Sequence, residues 1–433
     1  MKRTSIWLCM TIVAVAGLWA AAGCTEPGSS GTDNGGPRPD ATDGDARRDD
    51  ATADDGRDVP REDGGETGPD ASVSGCGEER SYIWIANSAE GTLSKLCTLD
   101  GVEVGRYWTS PQTSRGDPSR TSVNMHGDMV VTNRNTEGGP SSVTKFAAEP
   151  RDCIDRDADT RIRTSTSATD VLPWGQDECM IWNVPLPNAS ATTAIGARAT
   201  AWDGTEDPET GEGGFVWIGA LNNNGVYKLD GDTGEIVGRT SVTNQPYGGV
   251  IDGRGGFWIV GATCTVGLCN LARVNTETLA VDGFSVPCGY GISADRHGRI
   301  WTSGKLATMG SCVNRLDPGT RENVTYRDTR FAAFYRGIAV DDAGSIWVAN
   351  TGGTLVQVRE NDVTPVTEVP LGAPEVVGVA IDFQGNVWAV SQGSNAVIKV
   401  HPTTYEMQTF PVGLGPYTYS DMTGFQLNTV ILI

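Results

Sequence analysis

Histidine is nearly missing from this chain of 433 residues: only His126, His297 and His401 occur. Three histidines in three distant segments leave little material for a histidine-built metal centre or a nucleophile–histidine–acid set. No C-x2-C pair occurs and no histidine lies close to a cysteine, which removes the usual zinc spacings. Basic clusters are missing as well. Lys and Arg number 33 against 54 Asp and Glu, the formal net charge is −21, and basic residues gather only in pairs such as Arg47-Arg48. A phosphate backbone needs a basic face, so nucleic acid is excluded as a partner. Phosphate-loop and dinucleotide glycine patterns are also missing, and no long stretch shows helical periodicity.

Long apolar runs are missing except one. "IWLCMTIVAVAGLWAAA" follows Lys2 and Arg3 and stops at "AAGC" with Cys24. It resembles a bacterial lipoprotein signal, with Ala21, Ala22 and Gly23 as the small residues before cleavage and Cys24 as the acylated new N-terminus. An ordinary secretory signal or an uncleaved anchor is the alternative. Residues 25–75, quoted in part as "GTDNGGPRPDATDGDARRDD", have almost nothing large and apolar to bury. Such a segment cannot offset its ordering entropy, so a disordered acidic linker is expected. Its aspartates do not fit the D-x-D-x-D-G loop of calcium sites. The linker carries 14 acids and 5 arginines, the leader Lys2 and Arg3, so residues from 76 onward hold −14 of the total. The expected location is the cell envelope, lipid-anchored, and Thr25 after the cysteine fits the outer membrane on its periplasmic or surface face. The ending "LNTVILI" is abrupt and leaves room for a further domain.

Cysteine usage agrees with export. Cys76, Cys97, Cys153, Cys179, Cys264, Cys269, Cys288 and Cys312 remain beyond the leader. An even number suits disulfides. Pairing sequence neighbours, 76 with 97, 153 with 179, 264 with 269 and 288 with 312, would keep each bond local.

What the sequence has in abundance is glycine, 56 residues, and a recurring phrase. "GIAVDDAGSIWVAN" at 337–350 returns as "GVAIDFQGNVWAVS" at 378–391, "GISADRHGRIWTSG" at 291–304 and "GGVIDGRGGFWIVG" at 248–261. Trp217, Trp258, Trp301, Trp347 and Trp388 follow at intervals of 41, 43, 46 and 41 residues; Trp84 in "SYIWIAN" plays the same part. "NMHGDMVVTN" keeps the pattern with Val130 in place of Trp. Units of this length with four short strands each are propeller blades. The prediction is an all-β, seven-bladed β-propeller over 76–433, with the tryptophans packed between blades. The segment around Trp182 reads as an outer strand after a long insertion, not as an eighth blade. The first unit lacks its opening strand, and "GPYTYSDMTGF" near the end looks like that strand, so pairing the two closes the ring.

The phrases "GIAVDDAGSIWVAN…TLVQVR" and "GVAIDFQGNVWAVS…NAVIKVHPTT" resemble blades of the virginiamycin B lyase-like propellers, kin of the NHL type. The resemblance covers roughly 80–425. It implies, as one reading, a magnesium-dependent carbon–oxygen lyase that opens cyclic depsipeptides or lactones with His and Glu at the channel mouth. Here the strands around each Trp end in "WIAN", "VVTN", "WIGA", "WIVG", "WTSG", "WVAN" and "WAVS", without a carboxylate. The three histidines are expected as solvated turn residues, and Glu90 or Glu137 would have to substitute. No catalytic residue and no metal or other cofactor is assigned; magnesium belongs to the lyase reading alone.

The favoured reading is a monomeric binding module without catalysis. Arg120, Arg198, Tyr247, Tyr290, Tyr335, Arg336 and Tyr417 stand at or just before the inner strands, and repetition around an axis would bring them to one ring. Tyr and Arg join rigid area to directed hydrogen bonds. Converging arginines favour an anionic, carbohydrate or peptide ligand; packing of a tapering inner layer is the alternative.

Overall fold

The computed structural model describes residues 76, 80–111, 116–136, 140–187, 196–265, 268–306, 310–330 and 334–431. The leader 1–24 with Cys24 and the linker 25–75 lie outside them. Seven antiparallel sheets follow one another along the chain, each built of strands in sequence order. Six have four strands. The first has three, Tyr82–Asn87, Thr92–Cys97 and Glu103–Trp108.

The opening strands of blades two to seven are Pro118–Val123, Ala197–Trp202, Pro246–Ile251, Gly291–Ala294, Tyr335–Val340 and Val376–Ile381. They line the axis and are buried almost throughout, whereas a last strand such as Ile236–Ser241 alternates half-buried with exposed. Inner strands approach closely enough to demand glycine. A methyl group on Gly291 would collide with the Arg336 carbonyl, and one on Gly378 with the Thr418 carbonyl.

The recurring phrase is a hydrogen-bonded latch. Asp341 closes the turn after the inner strand, its Oδ1 accepting the N–H of Ala343 at 3.0 Å and of Ser345 at 2.8 Å. Its Oδ2 accepts the indole N–H of Trp347 at 2.8 Å. Asp252, Asp295 and Asp382 hold Trp258, Trp301 and Trp388 likewise at 2.7, 2.7 and 2.8 Å. A buried indole N–H needs an acceptor, and six residues is the reach from this turn to the second strand. Asp203 spans a longer turn to Trp217 at 3.4 Å. Trp84, Trp217, Trp258, Trp301, Trp347 and Trp388 are all fully buried.

Two blades depart from the latch. Asn124 closes the turn of blade two, where Val130 stands in for Trp. In blade one the Trp84 indole nitrogen has no partner. Asp421, on the segment that completes this blade, serves another purpose: it accepts the N–H groups of Thr423, Gly424 and Leu427 at the start of the helix Phe425–Ile431. Burial lifts its carboxyl to about 6.

The ring closes through that segment. Ser88 N–H donates to Gly415 O at 3.1 Å, Tyr417 N–H to Ala86 O at 2.9 Å and Trp84 N–H to Met422 O at 2.9 Å. The ladder is sparse, with one isolated bridge between Asn87 and Pro416, because Pro416 has no N–H and the chain turns into the helix soon after. The neighbours on both sides add bonds: Thr121 Oγ1 donates to Asp421 O at 3.0 Å, and Thr423 Oγ1 to Ile381 O at 2.6 Å.

Four disulfides join Cys76–Cys97, Cys153–Cys179, Cys264–Cys269 and Cys288–Cys312, the local pairing. Cys153–Cys179 fastens the insertion between the third and fourth strands of blade two. Met180–Pro185, with Trp182, pairs beside Ser142–Phe146 as the outer strand.

Replacing Asp341 with Ala strands the Trp347 indole and two turn amides. The expected loss is about 1–3 kcal/mol, read from urea unfolding. Changing its exposed neighbour Asp342 to Ala should leave the midpoint unmoved.

Candidate ligand site at the channel mouth

Five inner strands carry an extra residue near their start. The ladder skips Ser119, Arg198, Tyr247 and Val377 in blades two, three, four and seven, and Arg336 with Gly337 in blade six. A bulge re-aims the side chain it frees. Here it turns Arg198, Tyr247 and Arg336 towards the axis, where Tyr290, just before the fifth inner strand, and Tyr417, on the closing segment, meet them.

The phenols converge on Tyr417. Its oxygen lies 2.5 Å from Tyr290 Oη, 3.1 Å from Tyr247 Oη and 3.2 Å from Tyr419 Oη. Tyr247 donates to Tyr290 at 2.8 Å. Arg198 lies over the Tyr247 ring at 4.3 Å and the Tyr417 ring at 5.8 Å, and donates one hydrogen bond, to Ser119 Oγ at 3.3 Å. Arg336 touches the rings of Phe334, Tyr290 and Tyr417 at 4.8, 5.6 and 5.9 Å. The Nε atoms of both arginines are buried without an acceptor.

Arg120 sits deeper and crosses the channel. It donates to the carbonyls of Tyr419 at 3.2 Å and Tyr247 at 3.0 Å and lies 3.2 Å above the Tyr419 ring. At 1% exposed it is a plug, not a wall of the mouth.

Tyr335 does not join this ring. It is ladder-paired with Asn350 ahead of the bulge, fully buried beside Trp301, Val313 and Ile338, and donates to Asp328 Oδ2 at 2.7 Å. Successive strand residues face opposite ways, so the bulge gives the axial position to Arg336. Tyr419 belongs to the site and was not foreseen. The alternation of Tyr417 and Tyr419 along the closing strand is the signal for it, since both face the axis.

Burial pushes the Tyr417 phenol up, but the Arg198 guanidinium and the hydrogen bonds that the phenol shares with Tyr247, Tyr290 and Tyr419 outweigh it and bring the group down to about 7. Tyr290 is driven far the other way, by burial and then by the neighbouring Tyr247 and Tyr417 oxygens. The cluster therefore holds one phenol, Tyr417, that titrates near neutrality beside others that burial keeps protonated, Tyr290 and Tyr419.

The histidines lie elsewhere. His126 and His297 occupy turns at the far end of inner strands, and His401 follows a third strand, so none is at this mouth. His297 and His401 are exposed turn residues as expected. His126 is not solvated: it is 2% exposed, with Nδ1 2.6 Å from Arg80 and Nε2 3.1 Å from Asp152. The blade-two insertion and Pro208, whose carbonyl lies 3.2 Å from Nδ1, cover it. Glu90 accepts from Arg106 and from the Leu414 N–H, so it fastens the closing segment. Glu137 lies outside the described residues. Away from the mouth, Asp155, Asp157 and Asp159 of the insertion gather their carboxylates within 4.8 Å.

A near-ultraviolet titration should show a tyrosine ionising with a midpoint of about 7. Tyr417→Phe removes that transition; a wild-type curve without it contradicts the arrangement.

No family model matches the chain, and no curated protein matches it. Solved structures share its fold. A streptogramin B lyase is 18% identical over 73% of this chain and 88% of its own, with a TM-score of 0.53. A catalytically inactive histidine-to-alanine variant of virginiamycin B lyase from Staphylococcus aureus, solved with quinupristin, is 15% identical over 72% and 88%, with a TM-score of 0.50. The likeness to the virginiamycin B lyase-like propellers seen in the blade phrases thus holds for the fold.

Proposed function

We propose that the chain is a membrane-anchored ligand-binding propeller of the cell envelope, held by lipid on Cys24 and set off from the membrane by the linker 25–75. Its ligand docks at the mouth lined by Arg198, Tyr247, Tyr290, Arg336 and Tyr417. The observation that carries this reading is the pair of guanidinium groups turned to the axis, each with a buried Nε–H that has no acceptor among the described residues and neither with a carboxylate partner there. Structural arginines are normally paired when buried. Donors left open at the mouth of a channel, between rigid aromatic faces, are the equipment of a binding site.

No His or Glu stands among these residues, so elimination chemistry of the lyase kind would lack the His–Glu set expected for it. Tyr417 as a phenolate is a base in principle, but the hydroxyls of Tyr290 and Tyr419 can donate to it, which stabilises the anion and blunts its basicity towards a substrate. Binding is therefore the favoured role.

The two roles separate in one experiment. The purified protein is titrated calorimetrically with a panel of peptides, neutral and acidic sugars, and separately incubated with Mg²⁺ and the depsipeptide quinupristin. Binding that weakens at least tenfold in Arg198→Ala and Tyr290→Ala, without ring opening, is the expected result. Magnesium-dependent turnover abolished by a mouth substitution would overturn it. For the anchor, Cys24→Ala should move the protein from the membrane fraction to the soluble one; retention at the membrane contradicts acylation.

A further inference from the structure

We infer that the group received at the mouth is an oxyanion, a carboxylate or a sulfate or phosphate group, bound by Arg198 and Arg336 beside the Tyr417 hydroxyl. This rests on the reading of the mouth as a ligand site and adds the chemistry of what enters it.

Charge balance carries the argument. Arg198 is 8% exposed, and its one hydrogen bond goes to a neutral hydroxyl. Arg336 makes ring contacts only. Among the described residues no carboxylate pairs with either, although residues from 76 onward carry a net −14. Acids were plentiful and none was placed here. Arg134, 5.1 Å from the Tyr417 ring, does have its partner in Asp117, and Arg120 below donates to two carbonyls while its own buried Nε lacks an acceptor. Among the arginines without a carboxylate, Arg198 and Arg336 are the ones a ligand at the mouth meets, since Arg120 is 1% exposed and lies beneath them. A neutral sugar or peptide carbonyl would fill a donor but bring no counter-charge to the buried Arg198 and the half-buried Arg336. A planar or tetrahedral oxyanion supplies both acceptors and charge, in the geometry that guanidinium forks prefer.

Proton linkage follows. The groups facing the Tyr417 oxygen are Arg198, Arg336, Arg120 and Arg134 and the phenols of Tyr247, Tyr290 and Tyr419. Arg134 has Asp117; for the other three guanidinium groups the anion available among the described residues is the Tyr417 phenolate. An incoming oxyanion competes with it, because two negative charges side by side repel. Binding therefore holds Tyr417 protonated and takes up a proton above its midpoint.

The test follows the tyrosinate band of the full-length protein in acetate, in sulfate and in inorganic phosphate, against chloride at matched ionic strength. The expected result is a saturable rise of the Tyr417 midpoint, about one pH unit at an anion concentration tenfold above its dissociation constant. Acetate alone acting assigns a carboxylate; sulfate and phosphate acting assigns a tetrahedral group. Calorimetry with the effective anion should show affinity falling about tenfold per pH unit above the midpoint in the wild type. In Tyr417→Phe the affinity persists with a flat profile. Arg336→Gln, at a half-exposed position, should weaken binding about tenfold with an unchanged melting temperature. A midpoint indifferent to all three anions, or a shift that Arg336→Gln leaves undiminished, overturns the inference. Neutral ligands that still bind in an Arg198-dependent way would then leave the mouth a ligand site of other chemistry, so the two readings fail separately.

Discussion

Seven sheets can bury their faces against one another only if the circle closes, and here closure hangs on the few backbone hydrogen bonds that hold residues 415–422 beside Tyr82–Asn87. Everything at the axis depends on that contact. The same segment brings Tyr417 and Tyr419 into the channel, sets Asp421 to start the helix Phe425–Ile431, and removes the free edge that a three-stranded blade would otherwise show to other chains. Structure and candidate site share one support.

The sequence spoke clearly where chemistry repeats. An Asp, a glycine turn and a Trp six residues later form a bond that four blades make, each for its own indole, so the spacing recurs while the residues between vary. Cysteine neighbours were legible for a similar reason, since each pair fastens one local excursion. Blade number and the outer-strand place of Trp182 followed from the same regularity.

The site was harder to read because it is built from departures. Tyr335 and Arg336 are adjacent, and only a bulge decides which of them faces the axis. Nothing in "FYRGIAV" declares an extra residue. Tyr419 required the register of the closing strand, a pairing across more than three hundred residues. His126 looked like any turn histidine because its covers, Asp152 and Pro208, come from two separate segments. Periodic patterns report the shared frame, and long-range contacts decide which side chain meets which.

The cysteine pairs carry a consequence for biosynthesis. No bridge spans more than 26 residues, and each closes before the next begins along the chain. Where the chain emerges N-terminus first into an oxidising medium, each pair can oxidise soon after its second member appears, with no later cysteine yet present to compete for it. Oxidation in order of emergence gives the correct partners without reshuffling, which spares the chain the slow isomerisation that interlaced bridges require.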